Sequence, residues 1–89
     1  MSETPDVALW PSRENYAWFR SLCDDDVPES FDEFEVAATA QLAAMAREGI
    51  FIKRIAFNPD MMAAWCRAKF GNVDSYARSC YAGFLALSD

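Results

Sequence analysis

Apolar residues recur at three- and four-residue intervals through most of this 89-residue chain, the period of helices that bury one face. The first such run is Tyr16, Phe19, Leu22 and Cys23. Ser12 stands before it as an N-cap with Glu14 in the first turn. The stretch DDDVP from Asp24 to Pro28 stops it, since acids oppose the negative end of a helix dipole and Pro28 constrains its neighbours. A second run gives the clearest helix. Ser30-Phe31-Asp32-Glu33 has the form of a capping box, with Ser30 at the N-cap and Glu33 at N3. Gly49 stands where a left-handed residue ends a helix. Between these signals Phe31, Phe34, Ala38, Leu42 and Met45 form one face, and Ala37, Ala40 and Ala44 form a flat second face open to close approach by another helix. At about 1.5 Å per residue this helix is roughly 27 Å long and is expected to be the spine of the domain.

Ile50 to Phe57 (IFIKRIAF) is β-branched and aromatic, and reads as a strand. A lone strand leaves backbone donors and acceptors unpaired, so it needs a partner. Val7 to Trp10 is the only other segment of extended character; failing that pairing, the strand meets its own copy in a dimer or serves as a connector. Asn58-Pro59-Asp60 then starts a third helix, with Met61, Met62, Trp65 and Ala68 on its buried side and Gly71 ending it after Phe70. A last helix begins near Asn72 to Asp74. Its expected core face is Val73, Tyr76, Ala77, Cys80, Phe84 and Leu87, which leaves Tyr81 and Leu85 off the stripe. With residues 1–11 irregular or extended, the expected fold is mainly α: a compact four-helix single domain over residues 1–89 with at most one short β element, Ile50–Phe57.

Composition narrows the class without changing that outline. Eighty-nine residues make one core, and 53% hydrophobic content argues against disorder. The N-terminal MSETPDVALW lacks the apolar run of a secretory signal, and no stretch approaches the ~18 apolar residues of a membrane span. Cys23, Cys66 and Cys80 are dispersed, with no C-x-x-C and no histidine anywhere, which reads as reduced thiols in a cytoplasmic setting. Each lies on or beside an apolar stripe as a small hydrophobe. Without histidine a thiol lacks its usual base, and no set of titratable residues resembles a catalytic, metal or cofactor site. The expectation is a protein that is not an enzyme and needs no cofactor or metal.

Charge changes the picture most. Ten acidic residues face only Arg13 and Arg20 from Met1 to Val36, a net of −8, whereas Ala37 to Asp89 carries +2, for a total of −6. Seven of the acids fall between Asp24 and Glu35. Dipole compensation accounts for Asp32 and Glu33 and loop solubility for Asp24 to Asp26, but seven carboxylates exceed what one helix start needs. Such a run can imitate a phosphate track and occupy a basic groove on a nucleic-acid-handling protein. It lacks the alternating spacing and central glycine of an EF-hand loop. Met61 to Leu87 has a helix-turn-helix outline in which Ser75, Arg78 and Ser79 would face DNA, yet the overall charge opposes binding to phosphate. Lys53 and Arg54, with Arg47, balance the acidic half within the molecule or across a dimer. Core filling accounts for most of Trp10, Trp18, Phe51 and Tyr81, and any of them that a core this small leaves exposed beside the acids makes an interface anchor.

In size, acidity and lack of histidine and catalytic motifs, the chain resembles phage-encoded inhibitors of host defence, anti-CRISPR proteins among them. These share no common fold, so the resemblance assigns no residue a role. The expected function is a small acidic inhibitor or adaptor that engages a basic surface of a larger protein, with no direct nucleic-acid or membrane binding. Asp24, Asp25, Asp26, Glu29, Asp32, Glu33 and Glu35 would supply steering and ion pairs, and Trp18 apolar contact. The alternatives are a homodimeric accessory protein and a weak helix-turn-helix regulator.

Overall fold

The structure, a computed structural model, describes residues 6–87; residues 1–5 of the irregular N-terminal segment lie outside the described residues. In chain order the elements are β1 (Val7–Leu9), α1 (Tyr16–Leu22), α2 (Phe31–Arg47), β2 (Lys53–Ile55), α3 (Pro59–Phe70) and α4 (Ser75–Leu87). Among the described residues the architecture is mainly α with four helices, and the β component is one two-stranded sheet. Of the Ile50–Phe57 run, only the three residues of β2 are strand. They pair with β1 in parallel, Val7 opposite Lys53, Ala8 opposite Arg54 and Leu9 opposite Ile55. The Lys53 N–H donates to the Asp6 carbonyl and the Trp10 N–H to the Ile55 carbonyl, each at 2.9 Å. A parallel pair needs a long crossover, and α1 and α2 supply it.

Local chemistry sets the helix ends. At the start of α2 the Glu33 N–H donates to Ser30 Oγ at 3.1 Å, and the Ser30 hydroxyl donates to the Glu33 carboxylate at 3.1 Å. The box therefore closes on the serine hydroxyl and not on its backbone N–H. Gly49, at φ 85°, ends α2 in a Schellman turn, where the Ile50 N–H reaches the Met45 carbonyl at 3.0 Å. Asn58 Oδ1 caps α3 by accepting from the Met61 N–H at 3.0 Å, and Asp74 does the same for the Ala77 N–H at 2.9 Å in α4. The first helix departs from the sequence reading. Ser12 and Asn15 bond to each other's backbone N–H groups, at 2.8 and 3.1 Å, and close a separate turn. Asn15 competes here with helical pairing, so α1 begins only at Tyr16.

The core is made by α1, α3 and α4. Tyr16, Phe19, Met62, Ala63, Cys66, Val73, Ala77 and Tyr81 form it, with β1 packed on α4. The buried stripe of α3 is thus Pro59, Met62, Ala63 and Cys66, whereas Met61 is 65% exposed and Ala68 is also exposed. Of the face expected on α4, Val73 and Ala77 are buried and Cys80 is half-buried, but Tyr76, Phe84 and Leu87 are exposed, while Tyr81 is buried and Leu85 half-buried. Three short helices meet at small residues (Ala63, Cys66, Ala77), and that close approach leaves no room for more rings. The displaced aromatics pack on one another at the rim instead, Trp65 tilted against Phe84 at 5.3 Å and Phe70 edge-to-face with Tyr76 at 5.5 Å.

The second helix is not the spine. None of its 17 residues is buried. Phe31 and Phe34 anchor its start against Tyr16 at 6.0 and 5.5 Å, and Phe34 also meets Trp10 at 5.1 Å. Beyond them only Ala38, Leu42 and Ala46 are half-buried; Met45 is exposed, as are Ala37, Ala40 and Ala44, and none of the described helices covers that alanine face. Alanine buries little apolar area, so such a face contributes little drive to close onto a core already filled by the other three helices. Among the described residues no helix is long and apolar enough to cross a membrane. All three cysteines are free, Cys66 buried and Cys23 and Cys80 half-buried.

Candidate partner-binding surface

The acidic residues of the Asp24–Glu35 segment divide into two groups. Asp24 and Asp25 lie where α1 has ended and the chain passes the turn between α3 and α4. Asp24 clamps that turn at two points: its N–H donates to the Val73 carbonyl at 2.9 Å, and its carboxylate accepts from the Val73 N–H at 2.6 Å. Asp25 takes both ends of the Arg78 guanidinium, at 2.5 and 3.1 Å. This fork is sheltered, the side chains being 14% exposed for Arg78 and 32% for Asp25. The bond from Arg78 is the main reason that the Asp25 carboxyl is held below the ordinary carboxylate range. Asp32 pairs with Arg13 at 2.8 Å in open solvent, and Glu33 is spent on the Ser30 cap.

Asp26, Glu29 and Glu35 are different. All three are exposed, and their carboxylates make no hydrogen bond or ion pair among the described residues. Trp18 is also exposed, at 42%, and its indole N–H donates to Asp60 at the start of α3, at 2.9 Å.

The acidic loop borders a cleft of about 580 Å³ between β1, α2 and α4. Its deeper lining is apolar, from Leu9, Phe19, Phe34 and Ala38, and its exposed rim is polar, from Asp26, Gln41, Ser75 and Ser79. The Asp25–Arg78 fork lies in its wall, and the Tyr16 hydroxyl ties down the loop by donating to the Pro28 carbonyl at 2.6 Å. Sequence reasoning found Asp25 and Asp26 from charge alone but not Gln41, Phe34 or Ala37 as their neighbours. Ser75, Arg78 and Ser79, which the helix-turn-helix alternative would turn toward DNA, line this cleft, and the Arg78 charge is taken up by Asp25. Nothing local in the sequence links Asp25 to a residue 53 positions away.

Other chemistry is sparse. Burial pushes the Cys23 thiol up to about 11, and it donates to the Phe19 carbonyl at 3.3 Å, so at neutral pH it is a protonated thiol. Burial likewise raises Cys66. Among the described residues no group of three or more His, Cys, Asp or Glu is arranged to hold a metal ion. On the other flank of α2, Arg54 lies 4.4 Å over the Trp10 ring beside a shallower groove of about 480 Å³ lined by Leu42, Ala46, Ile50 and Phe51. Lys53 and Arg47 are exposed and meet no acid among the described residues, so the basic spot does not neutralise the acidic run within the molecule. No protein-family model matches the chain, and no curated protein or solved structure is significantly similar to it.

Proposed function

We propose that this protein is a non-catalytic binding module whose acidic face engages a basic surface on a larger, nucleic-acid-handling protein, as an inhibitor or adaptor. The observation that supports the reading is the group of exposed carboxylates that make no hydrogen bond or close ion pair among the described residues: Asp26, Glu29 and Glu35. Carboxylates needed for the fold are tied to Val73, Arg78 or Ser30, so these three are available for steering and for new ion pairs. A homodimeric role is the second reading, favoured by the uncovered α2 face where Val36 is 72% exposed beside Ala40 and Ala44.

The division of the acids also dictates the test. Charge changes at Asp25 would break the Arg78 fork and confuse binding with folding. The informative variant is Asp26→Asn/Glu29→Gln/Glu35→Gln, which takes the formal net charge from −6 to −3 and touches no internal bond. Tagged wild-type protein is expected to retain a nucleic-acid-binding protein from bacterial lysate at low salt, to release it at high salt or on addition of nucleic acid, and to lose it in the triple variant. Equal retention by the triple variant overturns the reading.

A further inference from the structure

The cleft says more about the partner than the charge does. Two acids in this molecule hold an arginine in the same way, by a carboxylate joined to a phenylalanine ring. Arg78 is forked on Asp25 and lies 5.7 Å over the Phe19 ring. Arg13 is bonded to Asp32 at 2.8 Å and lies 4.9 Å over the Phe31 ring. In each case the acid takes the charge and the guanidinium lies over a ring, a combination that suits arginine better than lysine. The cleft lining holds the same two residue types, an acid and a phenylalanine whose ring packs on Trp10, Tyr16 and Phe31. Asp26 stands on the rim and makes no hydrogen bond or close ion pair among the described residues, and Phe34 forms part of the deeper lining.

We propose that this cleft is a socket for an arginine side chain of the partner protein. The inference rests on the acidic-face reading and narrows it to one anchoring residue. The aliphatic stem would lie along Leu9, Phe34, Ala37 and Ala38, and the guanidinium would meet the Asp26 carboxylate with Gln41 and Ser79 as further acceptors. Long cationic side chains bind in this divided manner, stem on apolar surface and head at a polar rim. The volume of about 580 Å³ exceeds one side chain, so flanking residues of the arginine-bearing segment can enter with it. An anionic occupant is disfavoured, because the one cation in the lining, Arg78, is already neutralised by Asp25.

The test uses the whole protein labelled for amide NMR and a hexa-arginine peptide at low salt, with hexalysine and hexacitrulline as comparisons. Saturable shifts at Asp26, Gln41, Ser75 and Ser79 are expected with hexa-arginine, weaker binding with hexalysine and none with hexacitrulline. Ala37→Leu narrows the cleft from its exposed wall without adding or removing charge, and is expected to weaken hexa-arginine by about tenfold at an unchanged melting temperature. Shifts spread over Glu29, Glu33 and Glu35 that ignore Ala37→Leu, with equal binding of hexalysine, overturn the socket and leave the acidic-face reading standing. Absence of any hexa-arginine binding at low salt overturns both.

Discussion

Asp25 shows why a carboxylate in an acidic run cannot be judged by its neighbours in sequence. It belongs to the fold, because Arg78 forks onto it from α4 in a sheltered site. Removing one partner of such a pair strands the other, so Asp25→Asn is expected to cost about 1–2 kcal/mol once its partial exposure is allowed for. For a domain of this size that is a fall in melting temperature of about 5–15 °C. The pH dependence has a definite sign. Arg78 bonds the carboxylate and lowers the folded-state pKa of Asp25, so the stabilisation is complete above the unfolded value near ~4 and fades as pH falls through the lowered folded value. Melting of wild type and Asp25→Asn followed by circular dichroism should therefore differ by a constant amount from about pH 5 to 8 and converge in acid. A gap that stays open at low pH would refute this account. Asp32→Asn, whose partner Arg13 is in open solvent, loses little beyond its interaction with the start of the α2 dipole and is expected to lower the melting temperature by less than Asp25→Asn does.

At the scale of elements, glycines give the sharpest contrast. Gly83 lies inside α4, and a Cβ built there meets nothing within 4 Å. Gly83→Ala removes backbone freedom from the unfolded chain at no steric cost, and is expected to stabilise by about 0.5–1 kcal/mol. Gly49 has equally open surroundings but φ +85°, so Gly49→Ala is expected to destabilise by about 1 kcal/mol. Opposite shifts in denaturation midpoint would bear this out; shifts of the same sign would not. These same local signals made the helix ends legible. Ser30, Asn58, Gly49 and Gly71 act within one turn of their own position, and the structure uses all four as read. Ser12 misled because Asn15 offered its backbone a competing partner. The buried faces were less legible. Periodicity finds a stripe but weights it by size, whereas this core closes on Ala63, Cys66 and Ala77 and turns Tyr76, Phe84 and Leu87 outward. Of the candidate surface, the acids were legible from charge, while the fork to Arg78 and the cleft depend on contacts between distant segments that no local pattern records.

Across the whole molecule, stability and sequence signal are distributed in opposite ways. The helix most strongly marked in the sequence, α2, buries none of its residues, while α1, α3 and α4 hold the core. Its start is pinned by Phe31 and Phe34 and its end by the Schellman turn into β2, with grooves along both flanks. A helix fixed at its ends and unburied between them opens without disturbing the core, because few apolar contacts have to be broken. Native-state hydrogen exchange is expected to show the amides of Ala38 to Met45 exchanging roughly tenfold or more faster than those of Met62 to Cys66. Equal protection would mean that α2 opens only with global unfolding, and the division of the molecule into core and strap would be wrong. The concentration dependence separates the two readings of function. A strap that serves a partner protein keeps the same exchange rates as the protein is concentrated, whereas slowing confined to the Ala40 and Ala44 face on concentration would mean that a second copy covers it, and weight would pass to the homodimer.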